Sequence, residues 1–334
     1  MLRSEEVFAH GGTRLGRLVI LRRRWLLWRH AFVLSLSLLA ACRIRAGECT
    51  ANGTQFDRFV VVILENADFE VAMADDYLAS LAARPDARLL SDYHGLAHPS
   101  QPNYIGQIGG DTFGITDDDP HEIDATNLVD LLDGANITWK AYMEDYPGDC
   151  FNGSNAGGLP LFNGALSLYV RQHNPFVSFS NILGSASRCQ KIVPGNELDS
   201  DISSKSVPQF VYFVPNQIHN GHTTGFGFNV FQATDWLQGW LDPKLNDSAF
   251  NNDRTVILVT FDESGVSGSG NHVYAALVGG LLGSPSNCSA KGDPLTCADG
   301  SYYTHYSVPK TIEDNWKLGS LGRNDQNASA FKLP

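Results

Sequence analysis

Phe59-Val60-Val61-Val62-Ile63-Leu64-Glu65-Asn66 and Thr255-Val256-Ile257-Leu258-Val259-Thr260-Phe261-Asp262-Glu263 are built alike. Each is a run of β-branched and apolar residues without polar alternation, the pattern of a strand buried on both faces of a parallel sheet. Each ends in oxygen-bearing side chains, Glu65 with Asn66 and Asp262 with Glu263. Open α/β sheets place their ligand crevices at strand C-termini. Four such side chains on one rim predict a divalent-metal site. The fold class expected is α/β, a mostly parallel central sheet with helices on both faces and the site at the strand C-termini.

Outward from the first strand, Ala67–Arg84 reads as a helix stopped by Pro85, and Arg88–Tyr93 as a short extended piece. His98-Pro99-Ser100-Gln101-Pro102-Asn103-Tyr104 then reads as a strand-to-helix turn that presents the Ser100 hydroxyl at a helix N-terminus. Unpaired N–H groups and the helix dipole attract anions there, so a phosphate over Ser100 would be well placed. Thr126–Asp133 reads as a capped helix and Ile137–Tyr142 as a strand. The loop-rich Glu144–Asn181 is a candidate lid or pocket wall, with His173 either facing the pocket or capping a turn.

Gln209–Val214 is a further buried strand, followed by His219-Asn220-Gly221-His222, two candidate ligands on the same rim as the acids. Phe231–Leu241 is helical by periodicity, His272 heads the strand Val273–Val278, and His305 precedes an amphipathic helix around Val308–Trp316. One domain, residues 47–334, accounts for the chain after its N-terminal segment.

The 334 residues carry a formal charge of −12, with 43% hydrophobic and 18% charged residues, ordinary values for a folded soluble protein. Nine of the 24 basic residues and two of the 36 acids lie in residues 1–46, which leaves a balance of −19 for the rest. A body that acidic argues against nucleic acid or an anionic membrane as partner. Arg22, Arg23, Arg24 and Arg29 precede the apolar run Ala31–Ala41, which is short for a membrane span and matches a signal-peptide core. Residues 1–46 therefore read as a secretory signal or a retained N-terminal anchor, and stable membrane contact is expected only if that segment stays.

Leu39-Ala40-Ala41-Cys42 also resembles a bacterial lipoprotein box, but six N-x-Ser/Thr sequons favour a eukaryotic secretory route: Asn52, Asn136, Asn152, Asn246, Asn287 and Asn327. The cysteines agree with an oxidising compartment, with Cys150–Cys189 and Cys288–Cys297 as the expected disulfides. No CxxC pair exists to suggest a thiolate zinc site.

VILEN (62–66), HPSQPNY (98–104), HNPFVSF (173–179), PQFVYFVPN (208–216), VTFDES (259–264), NHVY (271–274) and YTHYSVPKTIEDNWKLGSLGRND (303–325) occur in that order. Together they resemble the phosphoesterase family that joins fungal-type secreted acid phosphatases with bacterial phospholipases C, within an alkaline-phosphatase-like superfamily. The resemblance spans about Phe59 to Asp325, and its last motif is closer to the acid phosphatase branch. It implies Glu65, Asn66, Asp262 and Glu263 as metal ligands, Ser100 as nucleophile and Asn103 as the amide on a phosphoryl oxygen. It also implies His222 and His272 as rim histidines that contact phosphate or protonate the leaving group, and His219 and His305 are grouped with them as substrate-binding. Where relatives read Asn-Asp-Gly-His-Asp-Thr, this chain has His219-Asn220-Gly221-His222-Thr223-Thr224, with two acids replaced by neutral residues.

The implied function is a secreted, extracellular or cell-wall acid phosphatase acting on small phosphate monoesters, with no nucleic-acid partner. The implied cofactor is a divalent ion; oxygen ligands suit calcium or magnesium, and the histidines leave zinc open. The alternatives are a phospholipase C-like phosphodiesterase, with an apolar wall from Phe151–Phe179, and a non-catalytic surface glycoprotein that keeps the fold.

Overall fold

The computed structural model describes residues 43–45, 48–158, 167–222, 229–265, 270–283, 295 and 298–334, with side chains described from residue 51. Residues 1–42 and 46 of the predicted signal segment, Thr223, Thr224, Asn287 and the Cys288–Cys297 pair lie outside the described residues.

Seven strands form the central sheet: β1 Arg58–Leu64, β2 Ala87–Leu89, β3 Trp139–Met143, β4 Ile192–Pro194, β5 Phe210–Val214, β6 Thr255–Phe261 and β7 Ala275–Val278, in the order β2-β7-β6-β1-β5-β3-β4. β1 lies between β6 and β5 and is parallel to both; only β7 runs against the rest. The two runs that open the sequence are therefore neighbours, and Phe59–Leu64 and Val256–Val259 are wholly buried. At about 1.5–3 kcal/mol for each fully buried aliphatic side chain, this pair of strands contributes a large share of the hydrophobic stabilisation.

Successive strand residues point to opposite faces, and β5 shows both faces covered. The Tyr212 hydroxyl donates to Gln107 Oε1 (2.9 Å) on the helix Gln101–Gly109, whereas Phe213 packs on Trp236 and Trp240 of the helix Val230–Leu245. The first of these helices is backed by Ser307–Trp316, and the second lies against Asp76–Ala82.

Local chemistry corrects several expected boundaries. Ala67–Arg84 is two helices, Phe69–Met73 and Asp76–Ala82, because the Asp75 carboxylate between them accepts from Tyr77 N and Leu78 N and starts the second afresh. Asn127 begins Leu128–Gly134 in a reciprocal capping box with Asp130. The helix expected to end at Leu241 continues to Leu245. Strand β4 and the helix Glu197–Ser203 were not anticipated. The loop-rich stretch after Glu144 contains an antiparallel ribbon, Asn155–Gly158 with Ser167–Val170, and two 3-10 turns, Arg171–His173 and Pro175–Ser178. A disulfide joins Cys150 to Cys189.

Candidate active site

Register builds the site. Because Phe261 pairs with Leu64, the next residues, Glu65 and Asp262, emerge side by side at the rim, followed by Asn66 and Glu263. Asp262 N donates to Leu64 O (3.0 Å), and Glu65 N donates to Asn220 O (2.8 Å) on the other side. Asn66 turns the chain out of the sheet in a left-handed conformation, φ 49°, which asparagine tolerates better than most residues. Its backbone N–H donates to Asp262 Oδ1 at 3.1 Å. One tip atom of its amide lies 3.3 Å from Asp262 Oδ1 and 3.1 Å from Glu263 Oε1. As nitrogen that atom donates to both carboxylates; with the amide reversed, its oxygen stands there as a further ligand atom.

Ser100 immediately precedes the helix Gln101–Gly109 and is buried among these acids. Its Oγ lies 3.0 Å from Glu65 Oε2 and 3.0 Å from Glu263 Oε1. A hydroxyl has one proton, so it cannot satisfy both oxygens. Tyr104, one turn along the same helix, donates to Glu65 Oε1, and His98 makes an ion pair with Glu263 Oε2.

Three carboxylates in so little solvent oppose one another. Glu65 is pushed well above the usual range by burial, then by the charges of Asp262 and Glu263. Asp262 is raised by burial and then by Glu263, and Glu263 by burial, with His98 pulling the other way. The imidazoles beside them are pushed down: His173 by burial and then by His222, and His222 by burial, against the opposing effect of Asp118. His173 Nε2 stands 3.1 Å from Glu65 Oε1 and His222 Nδ1 3.4 Å from Glu65 Oε2, both out of line for hydrogen bonding. Among the described residues, those two nitrogens and Asp262 Oδ2 are buried without a hydrogen-bond partner. Ligand atoms of Glu65, His173 and His222 all lie within 4.8 Å of one another. Unpartnered acceptors, mutually repelling carboxylates and neutral imidazoles fit a divalent cation, which would relieve all three.

Of the residues singled out from the sequence, Glu65, Asn66, Ser100, Asp262, Glu263 and His222 converge here. Others turn elsewhere. Asn103 spends its amide on the preceding loop, accepting from Leu96 N and Ala97 N and donating to Ala97 O and Pro99 O. His219 pairs with Glu144 and stacks on Trp236. His272 bonds to Ser91 O and stacks between Phe69 and His94. His305 lies wholly buried behind the rim, bonded to Tyr93, Gln107 and Asp262 O, and burial pushes it down to about 4.

His98 and Tyr104 sit in the HPSQPNY stretch but carried no assigned role, although their spacing around Ser100 was the available signal. His173 resolves toward the pocket, so the long insertion does supply a wall. The helix N-terminus also differs from expectation. Gln101 N donates to Asp118 Oδ1 (2.9 Å), Pro102 has no N–H, and Asn103 N donates to Ser100 O (2.9 Å).

Residues 76–319 match the Phosphoesterase family. The chain belongs to that family. This phosphoesterase is 36% identical over 283 residues to an acid phosphatase of Aspergillus fumigatus, a match covering 84% of the chain and 59% of that protein. It is 37% identical over 283 residues to a phosphate-repressible acid phosphatase of Penicillium chrysogenum, covering 84% and 64%. The chain thus spans less than two thirds of the length of these curated relatives. Among solved structures, an alkaline phosphatase superfamily protein from Vibrio parahaemolyticus superposes with a TM-score of 0.50 at 11% identity, covering 83% of this chain and 71% of that one, a likeness of fold alone.

Proposed function

We propose that this phosphoesterase is a secreted, metal-assisted acid phosphatase that hydrolyses small phosphate monoesters through Ser100. One observation carries the reading: a buried hydroxyl at a helix start, 3.0 Å from two carboxylates that cannot both be satisfied. The acid phosphatases among its relatives support the choice of substrate class.

Glu65, Asn66, Asp262 and Glu263 would hold the cation, with His173 and His222 on its Glu65 side. Bound there, a divalent ion offsets negative charge on the nucleophile and on the phosphoryl oxygens. Ser100 Oγ bonds to phosphorus as its proton passes to a flanking carboxylate and the ester oxygen departs. The departing alcohol takes its proton from solvent, which reaches the site at the partly open edge beside His222. Water then cleaves the phosphoserine and the Ser100 hydroxyl is restored. Carboxylate and amide oxygens suit calcium or magnesium, whereas the imidazole side suits zinc.

Secretion accords with the basic and apolar N-terminal segment and with exposure of the sequon residues Asn52, Asn136, Asn152, Asn246 and Asn327. Among the described residues, no helix is long and apolar enough to cross a membrane.

The deciding experiment measures hydrolysis of an aryl phosphate and of a choline-type phosphodiester from pH 3 to 9, for the protein and Ser100→Ala, with and without chelator. Turnover of the monoester in the acid range, reduced at least ~10³-fold by the substitution and lowered by chelation, is expected. Hydrolysis of the diester alone would replace this reading with a phosphodiesterase. Phosphate-dependent stabilisation without turnover of either would leave a non-catalytic glycoprotein.

A further inference from the structure

The loop after the Ser100 helix doubles back over that helix's first turn. Asp118 Oδ1 accepts the Gln101 N–H at 2.9 Å. The Gln101 amide nitrogen in turn donates to Asp117 O (3.2 Å) and Asp119 O (2.7 Å). Gln101 is 1% exposed, so one buried side chain straps the Asp117–Asp119 backbone across the end of the helix next to Ser100. The N–H that an anion would take at this terminus is already held by an anion of the protein itself. Neither following position replaces it, since Pro102 lacks an N–H and Asn103 gives its own to Ser100 O.

Asp118 also faces the catalytic cluster. Burial is the largest influence on its carboxyl and raises it. The Gln101 N–H and then His222, from the segment after β5, draw it down, Asp117 and Asp119 on its own loop push it up, and from the end of β6 Glu263 feels its charge. A phosphoryl group arriving at Ser100 would meet this carboxylate at close range. Like charges repel, and the Gln101 N–H can serve only one of them well.

We propose that Asp118 is a specificity-determining residue: its carboxylate holds the donor that a phosphoryl group on Ser100 would take, so a phosphate ester enters by displacing it, and esters with additional negative charge are disfavoured most. The inference rests on the phosphatase reading of the site. Asparagine is the informative substitution, because it keeps an oxygen for the Gln101 N–H and removes the charge.

The test compares the unmodified protein, Asp118→Asn and the control Asp119→Asn, which makes the same charge change at the exposed neighbouring position. Measured for each are the inhibition constant of inorganic phosphate, its dissociation constant by calorimetry, and KM and kcat for an aryl monophosphate and for an ester bearing several phosphates. Asp118→Asn is expected to tighten phosphate about tenfold, the size of one relieved like-charge contact. KM should fall with it, most for the polyphosphorylated ester, while kcat stays within about threefold. Asp119→Asn should change phosphate affinity less than about twofold, as a solvent-screened charge does. Equal effects from both variants, or none from Asp118→Asn, overturn the proposal.

Absence of turnover in the unmodified protein would sink the phosphatase reading, yet the calorimetric comparison would still judge Asp118. Should Asp118→Asn not fold, a structure of the unmodified protein with vanadate decides. Departure of Asp118 from Gln101 N supports displacement, and an oxyanion at Ser100 with that bond intact refutes it.

Discussion

The two ends of the β1–β6 strand pair treat charge in opposite ways. At the N-terminal end Arg58 gives its guanidinium to four backbone carbonyls, Val207 O, Pro208 O, Ala249 O and Phe250 O, at 2.6–3.1 Å. Arg254 there pairs with Asp57 and donates to Gly53 O. At the C-terminal end Glu65, Asp262 and Glu263 repel one another, and Asp262 Oδ2 has no partner among the described residues. Both ends descend from the same paired strands. One end ties the sheet to the loops beneath it; the other keeps unmet charge where a ligand can meet it.

The largest break in this contrast comes from the frustrated end. Asp262→Asn should lower kcat/KM for an aryl phosphate by about 10³-fold or more, as expected for loss of a ligand to the catalytic charge. In chelator the same variant should melt higher than the parent, by about 1–2 kcal/mol, because a buried carboxylate with two like neighbours has been neutralised. Lower stability in chelator would show that the carboxylates support the fold and are not held there against it.

Arg58→Ala should do the reverse. It withdraws the donor from four carbonyls, of which Phe250 O keeps the Thr255 hydroxyl at 3.3 Å, and a loss of about 3 kcal/mol is expected in denaturant unfolding. Turnover per folded molecule should stay within about twofold, since the four carbonyls it serves lie at the opposite end of the strands from the rim. A proportionate fall in kcat would mean that the lower end sets the geometry of the upper.

The frustrated end was largely readable in the sequence, because its signal is local. An unbroken apolar run followed by acids says both that a strand is buried and that charge leaves it at one end. Two such runs then suggest a shared rim without any knowledge of register. The histidines were not readable in this way. His219, His222, His272 and His305 all lie at or near the rim in sequence terms, but the direction each imidazole takes is set by distant partners: Glu144 and Trp236, Glu65, Phe69 and Ser91, Tyr93 and Gln107. Asp118 escaped notice for the same reason, since a run of three aspartates in a loop does not announce that one of them caps a helix 17 residues back. The break at Asp75 shows the limit at shorter range, where periodicity ran on but a side-chain cap restarted the helix.

The smallest effect separates burial of a carboxyl from its use. Glu313, on the helix Ser307–Trp316, is buried beside Asp325 and far in sequence from the acids of the rim. Burial and then the Asp325 charge lift it from the ordinary 4.5 to about 7, while the Leu321 N–H, donated to its Oε1 at 3.1 Å, acts against the rise. The folded protein therefore keeps a proton between about pH 4.5 and 7 that the unfolded chain has released. With more protons bound in the native state, stability falls as pH rises through that window and is greatest below it. Glu313→Gln retains an acceptor for Leu321 N and removes the titration. It should leave the melting temperature at pH 4 nearly unchanged and raise stability at pH 7.5 by about 1 kcal/mol, a figure reduced for partial solvent screening. Chelator should not alter this gain, whereas it should govern the gain from Asp262→Asn. If both gains respond to chelator alike, the rim is no more a ligand site than the C-terminal helix, and the contrast between the two ends fails.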